Sequence, residues 1–185
     1  MLITLPILAT LVLGAFLIRN GKHAMGKPTI QPILFYSSKF LLFGVWAIFV
    51  FMAAFPDFRQ FIPFLIQNEI PDVQKLFAAI VLIPANLIIV PAYLKMGLIT
   101  HIGIPEGRHE LRTGGIYKYS RNPMYASFIF LNTATFLYIP SILLLVVMVY
   151  GMVVHHYIIL AEEKYLEKEF GDEYRVYKRY VPRYF

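Results

Sequence analysis

Residues 124–160, MYASFIFLNTATFLYIPSILLLVVMVYGMVVHHYIIL, carry no Asp, Glu, Lys or Arg. One membrane-spanning helix needs only about 20 apolar residues, so this stretch is too long to cross once. Tyr138, Ile139, Pro140 and Ser141 supply turn chemistry near its middle. The reading is a tight helical hairpin, with a short span from Met124 to Leu137 and a longer one from Ile142 to Leu160. Asn132, Thr133 and Thr135 weaken the first arm.

Working outward, three more apolar blocks precede the hairpin: Leu2 to Ile18, Phe40 to Phe55, and Leu76 to about Leu94. The last contains Pro84, Asn86 and Pro91 and is expected to kink. Leu2–Ile18 has no basic n-region and no small-x-small site before Arg19, so it is expected to be retained as a span. Apolar residues make up 58% of the 185-residue chain and charged residues 15%, which excludes an ordinary water-soluble core. The expected fold is an all-α integral membrane protein of about five transmembrane helices. It forms one membrane domain, 1–185, with three N-terminal spans in 1–100 and a hairpin-containing region in 101–185.

The net charge of +6 is unevenly placed. Arg19, Lys22, Lys27, Lys95, Arg108, Arg112, Lys118, Arg121 and the basic tail fall on one side of a five-span arrangement. Arg59 and Lys75 fall on the other, beside Asp57, Glu69 and Asp72. Basic residues favour the cytoplasmic side, which puts the C-terminus there. No basic stripe interleaves with aromatics on a soluble face, so nucleic acid is not expected as a partner. Cysteine is absent, which excludes disulfides, thiolate metal sites and a cysteine nucleophile.

Polar chemistry gathers at the two ends of the hairpin, which its turn brings together. Before it, Arg121-Asn122-Pro123 reads as a helix start, with Asn122 as N-cap and Pro123 at the first helical position. Such an end offers unpaired N–H groups to a ligand carboxylate. After it, Glu162 and Glu163 sit at the end of the last span, where an acidic pair opposes the helix dipole and invites a cationic partner. His155 and His156 precede them. Adjacent helical positions point about 100° apart, so the two cannot share a metal, and no metal centre is expected. Beyond Gly171, Tyr174, Tyr177, Tyr180 and Val181 recur at helical spacing between Arg175, Lys178 and Arg179, the pattern of a cytoplasmic amphipathic segment.

Together His109-Glu110-Leu111-Arg112, Gly115-Ile116-Tyr117, Arg121-Asn122-Pro123-Met124-Tyr125, Glu162-Glu163, Phe170-Gly171-Asp172-Glu173-Tyr174 and Val181-Pro182 resemble the isoprenylcysteine carboxyl methyltransferase family and its phospholipid methyltransferase relatives. The resemblance covers roughly Gly107 to the C-terminus. It implies an S-adenosylmethionine pocket lined by His109, Glu110, Leu111, Arg112, Tyr117, Asn122, Pro123, Met124 and Tyr125, with Glu162 on the methionine ammonium. It also implies a lipophilic or lipidated methyl acceptor drawn from the membrane: the carboxylate of a prenylated cysteine, or a lipid headgroup amine. His155, His156 and Glu163 are the candidate bases for an amine.

The chain departs from the family pattern at Asn122, where His is usual, and at Ile158, where the prenylcysteine enzymes carry Arg. Two other functions fit less of the pattern: an NADPH-dependent membrane reductase related to sterol reductases, and a non-catalytic membrane lipid-binding protein. The charge asymmetry makes a direct prediction about topology. Single cysteines placed at Arg59 and at Arg175 label from opposite sides of the membrane with an impermeant thiol reagent; labelling from one side removes the five-span arrangement.

Overall fold

The computed structural model describes residues 27–62, 70–96 and 110–185, together with Leu8, Leu11, Val12, Ala15 and Arg19. Among these the chain builds α1 (Pro32–Ala54), a 3-10 turn (Pro56–Phe61), α2 (Asp72–Met96), a second 3-10 turn (Gly115–Lys118), α3 (Pro123–Tyr138), α4 (Ile142–Phe170) and α5 (Asp172–Tyr180). No β-strand occurs among the described residues. Helices α1, α2 and α4 are long and apolar enough to cross a membrane. The expected span Leu2–Ile18 lies outside the described residues apart from isolated positions.

The hairpin forms as its sequence predicts. Helix α3 starts at Pro123, with Asn122 before it, and ends at Tyr138; the turn Ile139–Ser141, buried at Ile139 and Ser141, leads straight into α4. Three boundaries differ from expectation. Helix α1 begins at Pro32, not Phe40. Pro32 suits a first helical turn, and the buried Ser38 hydroxyl is satisfied inside the helix by donating to the Phe35 carbonyl at 3.0 Å. Lys39 therefore lies well inside a helix rather than at its entrance. Helix α2 begins at Asp72 rather than Leu76, with an acid in the first turn where the dipole favours it.

The third difference is the largest. Helix α4 runs on to Phe170 instead of ending near Leu160. Glu162, Glu163, Lys164, Glu167 and Lys168 leave the apolar stretch, but Glu and Lys are good helix formers. The acidic pair consequently sits mid-helix. The helix stops only at Gly171, whose φ of 53° is open to glycine and costly for other residues. There α5 folds back alongside α4, and Glu167 accepts from Arg175 at 3.3 Å and Lys178 at 3.0 Å.

Two seams hold the bundle. Buried residues on α1 recur as Phe35, Ser38, Leu42, Val45, Phe49 and Met52, alternating three- and four-residue steps along one stripe. Helix α4 answers with Leu144, Met148, Gly151, His155 and Ile158 at the same spacing. Phe35 packs with Ile158, Leu42 meets Gly151, and Phe49 joins Leu144, so α1 and α4 run antiparallel. The second seam joins α2 to α3 through small residues, Ala78, Ala85 and Ala92 against Ala126, Ser127 and Ala134, all buried. Lipid tails are as apolar as leucine, so close backbone approach and polar links must supply the adhesion. Ser127 donates to the Ala85 carbonyl at 2.7 Å, and Gln74 to the Leu137 carbonyl at 2.6 Å.

Gly151 is the tight point of the first seam. A Cβ there would lie 2.6 Å from two carbons of Leu42. Gly151→Leu is expected to lower unfolding stability in detergent by about 1–3 kcal/mol through overpacking. Leu42→Ala in the same chain should recover part of that loss, measured as thermal or denaturant midpoints of the single and double variants.

Candidate functional site

The open end of the hairpin is closed by a buried charge cluster. Glu163 on α4 accepts from Arg121 at 3.1 and 2.9 Å, from the Asn122 side-chain amide at 3.1 Å, and from Arg183 at 2.9–3.2 Å. The Arg121 and Glu163 side chains are only 8% and 5% exposed, which makes this a desolvated pair rather than a surface one. Arg121 also donates to the Lys178 and Val181 carbonyls, and its backbone N–H to the Pro182 carbonyl. Ser120 and Asn122 both donate to the Arg183 carbonyl. The C-terminal strand of chain is thereby pinned across the mouth of the hairpin.

Asn122 holds the N-cap position, but its side chain makes no capping bond. Its amide is turned toward Glu163 and Arg183 instead, a correction to the capping role expected from sequence. Glu163, a candidate base by sequence, has both its oxygens ringed by guanidinium and amide donors.

Glu162, its neighbour, has a different environment. Both its oxygens lie 3.0 Å from the Tyr125 hydroxyl, which donates to them. Among the described residues that hydroxyl is its sole hydrogen-bond partner, and no cation touches it directly. The Lys39 ammonium of α1 approaches the same place, 4.5 Å from the Phe35 ring centre and 5.9 Å from that of Tyr125, close enough to act on Glu162 electrostatically. Tyr117, in the second 3-10 turn, is buried. Burial raises its phenol pKa above the usual range, with Tyr177 and Glu162 adding to the rise and Arg112 opposing it. Tyr177 donates to the Tyr117 carbonyl at 2.7 Å, so α5 braces this turn from behind.

The two histidines diverge as their spacing requires. His155 is buried, its Nδ1 2.7 Å from the Gly151 carbonyl, which makes Nδ1 the protonated nitrogen and leaves Nε2 an acceptor. Its ring lies edge-on to Tyr125 and Phe128. His156 faces the tail, stacked on Tyr184 with Nδ1 2.9 Å from its hydroxyl. A narrow groove between α1, α3 and α4, with room for little more than a water molecule, is lined by Leu42, Phe128, Met152, His155 and Ile159 and by Tyr184 of the tail.

The structure therefore brings together Tyr117, Asn122, Pro123, Met124, Tyr125, Glu162, Glu163 and His155 at one end of the bundle. Arg112 is exposed and reaches this group only electrostatically; Glu110 is exposed and lies 3.9 Å from Arg112. Leu111 is half-buried, and His109 lies outside the described residues. No group of three or more metal-ligating side chains occurs among the described residues. Sequence reasoning missed three participants: Lys39, Arg183 and Tyr184. For Arg183 and Tyr184 the signal was present in the Val181-Pro182 motif they follow, a fixed segment placed to deliver the next side chains.

A family model described as phospholipid methyltransferase matches residues 73–173, more than half of the chain, from the first turn of α2 to the start of α5. It takes in Tyr117, Arg121 to Tyr125, His155, Glu162 and Glu163. No curated protein and no solved structure matches the chain significantly. With three helices of membrane-crossing length and the hairpin's two ends joined at a charged pocket, the chain belongs to the phospholipid methyltransferase family of membrane methyltransferases.

Proposed function

We propose that the chain transfers a methyl group from S-adenosylmethionine to a lipophilic acceptor, at the cytoplasmic end of the bundle where Tyr125 and Glu162 meet. The observation that carries this reading is the division of labour between two adjacent carboxylates. Glu163 is consumed by Arg121 and Arg183, whereas among the described residues Glu162 keeps a carboxylate that only a phenol engages.

The residues present suit the cofactor's groups. Glu162 offers an anion for an ammonium, and the first turn of α3 offers backbone N–H groups for a carboxylate. The faces of Tyr117 and Tyr125 suit a sulfonium. When bound, S-adenosylmethionine supplies an electrophilic methyl group. The protein's share is alignment of the acceptor and exclusion of water. A carboxylate acceptor needs no base. For an amine headgroup, His155 is the candidate of choice, because Nδ1 is committed to Gly151 and Nε2 is left to take the proton. His156 is engaged by Tyr184 and Glu163 by its guanidinium partners.

The reading is tested on purified protein in detergent. S-adenosylhomocysteine should bind in the micromolar range and raise thermal stability, as a native-state ligand does. NADPH should do neither; the converse result would favour a reductase. Glu162→Gln should weaken S-adenosylhomocysteine roughly ten- to a hundredfold, the worth of a charge-assisted hydrogen bond at about 1.5–3 kcal/mol. Glu163→Gln should act on stability instead, by about 3–5 kcal/mol, because it leaves buried guanidinium charge without its partner. Glu167→Gln, whose carboxylate meets Arg175 and Lys178 near solvent, should change neither quantity. Equal cofactor affinity in all four proteins would remove Glu162 from the site.

A further inference from the structure

We propose that Lys39 holds an oxyanion of the methyl acceptor, a carboxylate or a phosphate carried on an apolar chain. The inference rests on the methyl-transfer reading and adds to it the group that recognises the acceptor. Lys39 lies on α1, outside the matched residues 73–173, so the family pattern does not assign it.

The argument begins with charge. An ammonium turned into an apolar bundle is costly unless an anion meets it. The Lys39 side chain does not run outward along the lipid face. It folds over Phe35, which is fully buried and packed with Ile158, and reaches toward Tyr125. Neither carboxylate of the adjacent pair on α4 contacts it. Glu163 is saturated by Arg121, Asn122 and Arg183. Glu162 accepts from Tyr125 and influences Lys39 only across a gap, with no direct ion pair between them. Among the described residues, ring faces are the direct contacts of the Lys39 ammonium. Once Glu162 is given to the cofactor's ammonium, Lys39 keeps a positive charge that calls for an anion from elsewhere.

Geometry says where that anion would come from. Leu42 lies one helical turn beyond Lys39 on the same face of α1 and forms part of the groove wall, with Phe128, Met152 and Ile159 opposite. An acidic head held by Lys39 would therefore lie one helical turn from the narrow groove that Tyr125 and His155 also line. The groove is too small for an acyl chain, so the apolar part of the acceptor would stay in the bilayer while its head enters between the helices. A lipophilic acceptor lacking an oxyanion leaves the lysine unmet, so the arrangement selects for acidic lipids.

The test uses three probes of equal chain length: dodecyl phosphate, laurate and dodecanol. Their binding to the full-length protein in detergent is measured by calorimetry, for wild type, Lys39→Met and Lys39→Arg. Wild type should bind at least one anionic probe ten or more times more tightly than dodecanol. Lys39→Met should lose that preference and Lys39→Arg should keep it. A preference for phosphate over laurate marks a phospholipid acceptor, and the reverse a carboxylate lipid. Equal binding of all three probes to wild type, or an undiminished anion preference in Lys39→Met, overturns the proposal. S-adenosylhomocysteine affinity, measured on the same three proteins, should not fall in Lys39→Met, because losing a cation beside Glu162 leaves that carboxylate to the cofactor's ammonium; a loss of ten-fold or more would assign Lys39 to the cofactor instead. The two readings fail separately: absence of S-adenosylhomocysteine binding to wild type counts against methyl transfer, whereas the anion preference is read without cofactor.

Discussion

The buried contact between Glu163 and the guanidinium groups of Arg121 and Arg183 is the constraint on which the rest of the site depends. Removing charges from water is expensive, and a buried ion pair repays the cost only when its remaining donors and acceptors are satisfied. Here they are. Arg121 gives its other N–H groups to the Lys178 and Val181 carbonyls, and Glu163 fills both oxygens. The result joins three segments distant in sequence: the entry to α3, the middle of α4 and the C-terminal tail. Without that junction the hairpin's open end would have no reason to stay closed, and Tyr184 would not be held on His156.

The junction also explains why two adjacent glutamates do different things. Consecutive helical positions point about 100° apart, so one helix can present Glu163 to the tail and Glu162 to Tyr125 and α1. The α1–α4 seam then sets what Glu162 sees. Because Gly151 lets Leu42 come close, the two helices stay in contact over their length, and Lys39 is brought level with Glu162 and Tyr125. A packing feature near the middle of the bundle thus fixes the electrostatics at its end.

Much of this was legible in the chain itself, and the exceptions have physical causes. The hairpin and the start of α3 follow from turn and capping chemistry, which is local: Pro140 breaks one helix and Pro123 begins another. The start of α1 and the end of α4 differ from the hydropathy reading for one shared reason. Hydropathy marks where a helix leaves lipid, whereas helix ends are set by caps and breakers, here Pro32 and Gly171. That error concealed Lys39, which looks like a boundary lysine when α1 is started at Phe40 and becomes an interior residue when it starts at Pro32. The proximity of Tyr125 and Glu162 was deducible from the hairpin alone. The identity of Glu163's partners was not, because Arg183 reaches it through a tail whose path no local pattern specifies.

The tail also gives a physical account of Asn122, which stands where the resemblance leads one to expect histidine. A histidine beside a buried carboxylate can supply a positive charge as well as a hydrogen bond. In this chain Arg183 already brings a second guanidinium to Glu163, so the carboxylate faces two full cations within 2.9 Å. A third cation would leave net positive charge desolvated at the mouth of the pocket, next to the place proposed for a sulfonium and an ammonium. A neutral amide avoids this. Asn122 donates to Glu163 at 3.1 Å and to the Arg183 carbonyl at 3.3 Å, linking lock and tail without adding charge. The substitution is then a consequence of where the tail docks: once Arg183 occupies the cluster, the neighbouring position needs a donor and has no use for another proton.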